Sequence, residues 1–369
     1  MSTIENGYFV FTIMPSLYCQ YNCDHCYLSL EQRRNKHIMS IEDMELTISK
    51  VADYYNNRSD IRSKTIVAYY YGGEPTSMGI PYFEAMASLF DRYMPEEKGF
   101  EVKHVILSSL LGVDIDEWLP FLTSRCGSYL QTSYDGLMRG KNYVKLWEQK
   151  VKHCVDSGLK VATISVVNSE LIKAGAESTL KYLSSLGVTE SGWLPFMLNE
   201  QNDGLKYGRY APTMTAFNDY MIQLSTIYQQ LVEDGAAVPE IGELNFVLSM
   251  GRQAGMSNMA GQTLFLLPDG TLCLPDYKDG YKEYFKPFGN ILNESFHDVL
   301  NSESRREYLV RQALRNRNPE CMTCNHKDRC LMEFAKPNKK DDECFGGKRF
   351  IDFALRHYPA SQGAKTLQF

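Results

Sequence analysis

The sequence predicts an α/β protein in which a parallel sheet precedes a cysteine-rich C-terminal region. Short β-rich runs alternate with helical stretches over residues 8–198, and seven of the ten cysteines fall into two tight groups. Six successive β/α units favour a parallel sheet with its helices on the outer face. In such folds the chemistry lies at the C-terminal ends of the strands.

The six units follow one another without interruption. The strands are predicted at Tyr8–Met14, Ile66–Tyr71, Val102–Leu107, Ser128–Ser133, Leu159–Val167 and Trp193–Leu198. The helices between them are predicted at Ile41–Tyr55, Pro81–Tyr93, Asp116–Ser124, Asn142–Ser157 and Leu171–Leu186. The first of these helices is the clearest, because Ser40 can cap its N-terminus and Asp43 occupies the position of a capping-box acid.

The alternation ends after Asn199. The elements predicted beyond it are a polar linker at residues 202–215, a helix at Ala216–Asp234, a hairpin of Leu264–Leu267 and Thr271–Leu274, and short helices at Phe296–Leu300 and Arg305–Arg315. Asp269-Gly270 between the two hairpin strands is a typical turn pair. We predict a β/α domain at residues 1–200, a linker with helices at 201–260 and an auxiliary domain at 261–369.

Composition and charge exclude several classes of protein. The 369 residues carry a formal net charge of −6, and 44% of them are hydrophobic. Without a basic excess the chain lacks the surface that neutralises nucleic-acid phosphates. No apolar run reaches the roughly 18 residues of a membrane span, and the N-terminus does not resemble a signal peptide. We therefore expect a cytoplasmic protein, in which disulfides are disfavoured and clustered cysteines bind metal or carry out redox chemistry.

The first cysteine group directly follows the first predicted strand. Cys19, Cys23 and Cys26 are spaced so that a single loop can hold one [4Fe–4S] cluster with three thiolates. One iron then has no protein ligand, as a ligand-activating centre requires. Zinc is the alternative, but zinc needs a fourth ligand, and His25 between two of the cysteines is poorly placed to supply it.

This spacing resembles the signature of the radical S-adenosylmethionine (SAM) superfamily. In that family an aromatic residue usually follows the last cysteine, here Tyr27, and His25 stands where an aromatic often packs on the SAM adenine. A second family motif follows the second strand as Gly72-Gly73-Glu74-Pro75, and the resemblance implies that it binds the SAM amino group. The resemblance further implies a partial (β/α)6 TIM barrel with a SAM-binding cluster on Cys19, Cys23 and Cys26.

Weaker matches to the family follow the later strands in order. Ser109 stands where relatives often contact SAM, and Ser133 begins a Ser-Tyr-Asp-Gly run similar to that of sulfatase-maturase-like members. The resemblance implies SAM contacts for both serines, with local turn capping as the alternative. It also implies that Arg139 clamps the SAM carboxylate. Leu198 matches a position that packs on the adenine, although a lone leucine equally fits the core.

A second cysteine group lies near the C-terminus and consists of Cys321, Cys324, Cys330 and Cys344. Four thiolates make a closed set, which suits either a structural zinc or a complete [4Fe–4S] cluster. Together with the preceding hairpin, the spacing resembles the outer auxiliary cluster of SPASM domains in peptide- and protein-modifying radical SAM enzymes. The resemblance therefore implies a second [4Fe–4S] cluster on this group.

The inner cluster of a full SPASM domain is expected to be absent. Of its cysteines only Cys273 is present, because residues 250–261 contain none and Phe334 occupies the last position. We therefore predict a reduced SPASM/twitch-like domain. Cys273 is then a buried small residue, a fourth ligand of a rearranged site or a substrate-facing thiol. Cys126 and Cys154 are predicted to lie in the core.

The resemblance implies an enzyme, a radical SAM oxidoreductase or peptide-modifying enzyme, that forms a 5′-deoxyadenosyl radical from SAM and abstracts hydrogen from its substrate. An external donor such as flavodoxin or ferredoxin supplies the electron. We expect the substrate to be a ribosomally made peptide that is matured by crosslinking, epimerisation or oxidation. Because the chain begins close to its first strand, we expect it to lack an N-terminal domain for leader-peptide capture. A separate peptide-recognition protein or a short substrate would then make up for that domain.

Two other functions stay open. One is a twitch-type dehydrogenase of a sugar or alcohol, and the other is a non-catalytic iron–sulfur or zinc protein. No motif identifies a general base. Asp276 and Tyr277 are candidates for substrate deprotonation, with a structural role in the hairpin as the alternative. A neighbouring precursor-peptide gene would favour peptide maturation, and a sugar-biosynthesis cluster would favour the dehydrogenase.

Overall fold

The computed structural model describes most of the chain. The described residues are 3–21, 23, 26–196, 208–249, 259–275, 285–314, 317–331 and 341–358. At residues 259–260 only the backbone is described. Within these ranges no helix is long and apolar enough to cross a membrane.

The described strands form one ten-stranded sheet. In chain order they are β1 (Tyr8–Ile13), β2 (Lys64–Tyr70), β3 (Phe100–Ser108), β4 (Tyr129–Ser133), β5 (Lys160–Val167), β6 (Glu190–Pro195), β7 (Glu240–Ile241), β8 (Thr263–Leu266), β9 (Thr271–Pro275) and β10 (Phe285–Asn290). The strand order is β10-β9-β8-β1-β2-β3-β4-β5-β6-β7. From β8 through β1 to β7 all neighbours are parallel, whereas β9 and β10 are antiparallel additions. The predicted α/β fold with a mostly parallel sheet is confirmed.

Helices connect the parallel strands and cover one face of the sheet. They are α1 (Leu30–Arg34), α2 (Ile41–Asn56), α3 (Ile80–Tyr93), α4 (Ile115–Ser124), α5 (Lys141–Asp156), α6 (Ser169–Ala174), α7 (Ala176–Ser185), α8 (Met214–Glu233), α9 (Gly242–Leu248), α10 (Met259–Gln262), α11 (Phe296–Leu300), α12 (Glu303–Ala313), α13 (Pro319–Met322) and α14 (Lys348–His357). Helix α2 begins as predicted, since Oγ of Ser40 accepts the backbone N–H of Asp43 at 3.0 Å.

The core lies between the sheet and its helices. In β1, the alternate residues Phe9, Phe11 and Ile13 are fully buried. The Phe9 ring contacts the ring of Phe296 on α11 at 5.5 Å between centroids. Burying a side chain of this kind contributes about 1.5–3 kcal/mol. Strand β1, near the N-terminus, is therefore stabilised in part by packing against a helix from the C-terminal part of the chain. Cys126 and Cys154 are buried in this core, as predicted.

Three predicted elements differ from the structure. The helix predicted at Leu171–Leu186 is two helices, α6 and α7, because Gly175 between them has φ 87°, a conformation that ends a helix. The sixth strand begins at Glu190 rather than Trp193, since Glu190 already pairs with Ala162 of β5. The helix predicted at Arg305–Arg315 is α12, which begins two residues earlier because Ser302 caps it.

The predicted hairpin is confirmed as β8 and β9. Gly270 adopts φ 85° in the turn, and the N–H of Leu267 donates to the carbonyl oxygen of Thr271 at 2.9 Å. Strand β8 then pairs in parallel with β1, with Val10 opposite Thr263. The C-terminal region therefore extends the same sheet instead of forming a separate one.

Candidate functional site

The loop after β1 holds the three cluster cysteines predicted there, at the C-terminal end of that strand. The Cys19 N–H donates to the carbonyl oxygen of Arg33 at 2.9 Å, and the Cys26 N–H donates to that of Cys23 at 3.2 Å. Burial raises the pKa of the Cys19 thiol to about 12, and the charges of Cys23 and Cys26 add to this effect. The three cysteines therefore share one partly buried loop.

The chemistry of this donor set fits an iron–sulfur cluster. Burial also raises the pKa of Cys26, and the guanidinium groups of Arg33 and Arg139 oppose that rise. Metal coordination would supply the positive charge that buried thiolates need, because a coordinating thiol loses its proton. Three thiols on one loop leave one iron of a [4Fe–4S] cluster for another ligand.

The Gly-Gly-Glu-Pro motif after β2 packs directly on the backbone of this loop. A Cβ atom on Gly73 would lie 2.1 Å from the carbonyl oxygen of Tyr18, so only glycine fits there. The N–H of Glu74 donates to that same oxygen at 2.9 Å. From the other side, the hydroxyl of Tyr27 donates to the carbonyl oxygen of Gly72 at 3.0 Å. The motif and the cysteine loop are therefore held together as one unit.

The carboxylate of Glu74 links the ends of β2 and β3. It is 3% exposed. Its Oε1 accepts hydrogen bonds from the hydroxyls of Thr76 (2.6 Å) and Ser108 (2.8 Å). Its Oε2 accepts from the backbone N–H of Ser109 at 2.9 Å and from the Ser109 hydroxyl. The hydroxyls of Ser108 and Ser109 thus both bind this carboxylate, and the Ser108 hydroxyl also accepts from the N–H of Leu110 in a local turn.

The end of β4 brings a guanidinium group to the cysteine loop. Arg139 Nε donates to Oδ2 of Asp135 at 2.6 Å, and Arg139 Nη1 lies 3.7 Å from the sulfur of Cys23. Asp135 is held in turn by the N–H of Val166 on β5, at 2.7 Å. Burial lowers the pKa of Arg139, but the negative charges of Asp135, Tyr143 and Cys23 together outweigh burial and hold that pKa above its ordinary value. Ser133, the last residue of β4, is partly exposed beside this pair.

The C-terminal cysteines lie in a second cluster of turns: Cys321, Cys324, Cys330 and Cys344 are all partly buried. A Cβ atom on Gly346 would lie 2.5 Å from the sulfur of Cys330 and 4.0 Å from that of Cys344, so these two thiols share one cradle. The backbone N–H of Cys324 donates to the carbonyl oxygen of Cys321 at 3.3 Å. The N–H of His326 donates to the sulfur of Cys324 at 3.4 Å.

The C-terminal donor set suits iron or zinc by its chemistry, since four thiols make a closed site for either. Among the described side chains, no three His, Cys, Asp or Glu residues converge on one position that would hold a single metal ion. In a [4Fe–4S] cluster the four thiolates bind four different irons and need not converge on one point. The result for single-ion sites therefore does not bear on a cluster.

Comparison with known proteins gives a domain match and a fold match. Residues 258–325 match the model of SPASM, an iron-sulfur cluster-binding domain. The structure of anSMEcpe with bound AdoMet (S-adenosylmethionine) shares 15% sequence identity at a TM-score of 0.72, over 97% of this chain and 96% of that one. The structure of Streptococcus suis SuiB bound to its precursor peptide SuiA shares 13% identity at a TM-score of 0.58, over 88% and 71%. Comparison with curated proteins found no match.

The chain has the fold of the anSMEcpe and SuiB structures, and its residues 258–325 match the SPASM domain. The prediction of this fold and this domain is confirmed. The SPASM match covers the hairpin cysteine, Cys273, and the first two cysteines of the C-terminal group. Cys273 itself is fully buried on β9, opposite Phe265 of β8. The absence of an inner SPASM cluster and the extent of the domains stay predictions.

Several predicted site residues lie outside the described residues. They are His25, Leu198, Asp276, Tyr277 and Phe334. Of the rest, the structure brings the cysteine loop, the Gly-Gly-Glu-Pro motif, Ser109 and Arg139 together at the C-terminal ends of β1 to β4. Tyr27 stacks on Tyr71 at 5.8 Å between ring centroids, at the same end of the barrel.

Sequence analysis missed three residues of this site. Thr76 and Ser108 share the Glu74 carboxylate, and Asp135 holds Arg139. Thr76 directly follows the Gly-Gly-Glu-Pro motif, and Ser108 directly precedes Ser109. Hydroxyl residues next to predicted site residues were therefore the available sequence signal. Asp135 stands in the Ser-Tyr-Asp-Gly run, four residues before Arg139, which is the spacing of an ion pair on one helical turn.

Proposed function

We propose that the protein is a radical SAM enzyme that modifies a peptide. The observation that carries the proposal is the joined unit at the ends of β1 to β3, where the cysteine loop, Gly73 and Glu74 share backbone hydrogen bonds. A loop of three cysteines alone would also suit a metal-binding structural site. A buried carboxylate fixed beside that loop adds a group that can bind a cationic ligand next to the cluster.

A [4Fe–4S] cluster on Cys19, Cys23 and Cys26 supplies, when bound, the electron that cleaves SAM to methionine and a 5′-deoxyadenosyl radical. The amino-acid part of SAM carries an ammonium and a carboxylate. Glu74 and Arg139 provide the complementary charges on either side of the cysteine loop. Their role is to orient SAM, so that one carbon–hydrogen bond of the substrate faces the reacting carbon.

The peptide substrate is supported by the structural relatives. The anSMEcpe structures include one with AdoMet and a Cp18Cys peptide, at 15% identity and a TM-score of 0.71, and SuiB is bound to its precursor peptide SuiA. The crosslink, epimerisation or oxidation that the peptide undergoes belongs to the same proposal. An external electron donor such as flavodoxin or ferredoxin completes the reaction, and a separate protein for peptide recognition fits it.

A second [4Fe–4S] cluster on the C-terminal cysteines is also part of the proposal. The shared cradle of Cys330 and Cys344 at Gly346 supports it, because a β-carbon there would occupy the space between the two sulfurs. Asp276 and Tyr277 remain the proposed residues for substrate deprotonation, since they directly follow β9.

The test is SAM cleavage by anaerobically reconstituted and reduced protein. We expect slow formation of 5′-deoxyadenosine without substrate, and none after replacement of Cys19, Cys23 and Cys26 by alanine. The matched control replaces Cys126 and Cys154, which are buried in the hydrophobic core and belong to neither cysteine group. Cleavage at the original rate by the triple variant would refute the proposed function.

A further inference from the structure

The barrel interior contains a cavity that is lined by none of the described residues assigned to SAM. It has a volume of about 290 Å³ and lies against β4, β5 and β6. The lining residues used below are Gln131, Ile164, Glu190, Leu194, Glu243 and Phe246. In the register of β4, β5 and β6, the strand residues among them lie on the same face of the sheet as Ser133. That face is turned to the barrel interior rather than to the helices.

A buried carboxyl group, that of Glu243, lines this cavity. Strand β7 ends at Ile241. Beyond that residue, Oε1 of Glu243 takes the place of a backbone acceptor for β6 and accepts the N–H of Trp193 at 2.8 Å. Oε2 of Glu243 is fully buried and has no hydrogen-bond partner among the described residues. Burial raises the pKa of this carboxyl to about 7. A buried polar atom without a partner is costly, and a ligand that bonds to it recovers that cost.

A second carboxyl group lines the same cavity. Oε2 of Glu190 accepts the hydroxyl of Tyr129 at 3.3 Å, and Gln131 Nε2 donates to that hydroxyl at 3.0 Å. The donors that reach Glu190 are therefore neutral. Among the described residues that line the cavity there is no Lys, Arg or His. The positive charge of Lys160 lowers the pKa of Glu190, but Lys160 is exposed and does not line the cavity.

Most of the remaining lining is apolar, with Thr163 and Ser191 as the polar exceptions. Ile164 and Phe246 are partly buried, and Leu194 is 47% exposed on β6, where it lies beyond the two residues that pair with β7. Methylene groups would pack on these side chains, while a positive charge would be neutralised by the carboxyls. We propose that the cavity is a subsite for an alkylammonium group, as carried by a lysine side chain of the substrate.

The register places this subsite beside the proposed SAM site. Ser133 of β4 pairs with Ile164 of β5, which pairs with Gly192 of β6. A Cβ atom on Gly192 would lie 3.8 Å from Oε1 of Glu243. Glu243 therefore lies at the level of Ser133, two strands away, or roughly 10 Å. Identifying the ammonium as part of the substrate rests on the proposed function, whereas the binding of an ammonium does not.

The test is calorimetric titration of the iron-loaded protein with n-butylammonium, and with n-butanol as the uncharged probe of the same chain length. We expect n-butylammonium to bind and n-butanol to bind at least tenfold more weakly. Glu243→Gln keeps the oxygen that accepts from Trp193 but removes the charge, and should weaken n-butylammonium binding about tenfold or more. Glu233→Gln, which removes an exposed carboxylate on α8, should leave binding unchanged.

A second variant covers the case in which Glu243→Gln does not fold. Leu194→Lys places an ammonium at the cavity mouth, and should abolish n-butylammonium binding through occupation of the site. Equal binding of both probes, or full binding by both variants, would overturn the proposal. None of these measurements uses SAM cleavage. Failure of the alkylammonium proposal can therefore be distinguished from failure of the proposed function. Peptides containing lysine or norleucine at one position then test whether the cation belongs to a peptide.

Discussion

Ser109 donates both its backbone N–H and its hydroxyl to one oxygen, Oε2, of the Glu74 carboxylate. The other oxygen accepts from Thr76 and Ser108. A carboxylate has about four lone-pair positions, and these donors occupy them. Glu74 therefore acts on SAM through a fixed negative charge and through the loop positions that it determines. That distinction can be tested by changing the charge and the hydrogen bonds separately.

We expect Glu74→Gln to weaken SAM binding about tenfold, because it removes the charge and retains one acceptor oxygen. Glu74→Ala leaves the donors of Ser108 and Ser109 unpaired, and should also lower the free energy of unfolding by about 2–3 kcal/mol. Equilibrium dialysis of SAM and urea denaturation measure the two effects. Glu117→Gln, at an exposed position of α4, is the control. Unchanged SAM affinity in the Gln variant would show that the charge is not used.

Replacing Gly73 by alanine should displace the cysteine loop. The added Cβ atom would lie 2.1 Å from the Tyr18 carbonyl oxygen, and backbone cannot yield as a side chain does. We expect the variant to lose the iron of the N-terminal site and retain about four irons in the C-terminal one. Gly208→Ala, where the new methyl group meets no atom within 4 Å, is the control. Full iron content in the Gly73 variant would contradict the close packing.

The cluster count follows from the two cysteine groups. Anaerobic reconstitution should yield about eight irons per chain, and replacement of Cys19, Cys23 and Cys26 should leave about four. About twelve irons would show that an inner SPASM cluster is present after all. Four irons accompanied by one equivalent of zinc would assign zinc to the C-terminal site. Iron, zinc and sulfide analysis of the same samples separates these outcomes.

Cys324→Ala distinguishes an electronic role of the C-terminal site from a scaffolding role. If that site accepts an electron from the substrate, the variant should still form 5′-deoxyadenosine but lose the oxidised product. If the site is only a scaffold, both activities should fall together with the thermal midpoint, because metal binding contributes folding free energy. We expect the first result. Normal turnover to oxidised product by a folded variant would exclude both roles.

Acidification should destabilise the protein through His104. The ring is buried, and its Nδ1 lies 2.7 Å from the hydroxyl of Tyr70. Burial lowers the pKa of His104 to about 4, so below its ordinary value near 6.5 the unfolded chain binds a proton that the folded chain does not. Between pH 7.5 and 5.0 this contributes a loss of about 2 kcal/mol in the free energy of unfolding.

Urea denaturation of the wild type and of His104→Gln isolates that contribution, because other titrating groups cancel in the difference. Glu243 is one such group: burial raises its pKa to about 7, so acidification relieves its buried charge and acts in the opposite direction. The exposed His153→Gln provides the control. A difference between wild type and His104→Gln that does not change with pH would contradict the prediction.

Local patterns predicted much of the fold and the centre of the site. The alternation of apolar residues placed β1 to β6 within a few residues, and cysteine spacing identified the loop after β1. These features depend on neighbours in sequence, where periodicity and turn chemistry operate. Gly175 is an informative exception, because a glycine within an amphipathic stretch does not by itself predict that the helix breaks.

Contacts between distant segments were not predictable in the same way. The sequence order suggested that Ser109 and Glu74 end neighbouring strands, but their hydrogen bonds depend on how the two loops turn. Glu243 carried no motif at all. Its position results from a two-residue strand, β7, that is too short to leave a periodic pattern. Tertiary pairing of this kind decides which side chains meet.

The pairing of β8 with β1 has a consequence for synthesis of the protein. Val10 and Thr263, which are partners in this ladder, are 253 residues apart in the chain. Until the ribosome has made most of the polypeptide, one edge of β1 has no partner, and the hydrogen-bonding groups of that edge are open to other chains. The cysteine loop directly follows β1, so we expect it to reach its final position only after the C-terminal hairpin has been made. We therefore expect the proposed cluster on that loop to be inserted after synthesis of most of the chain.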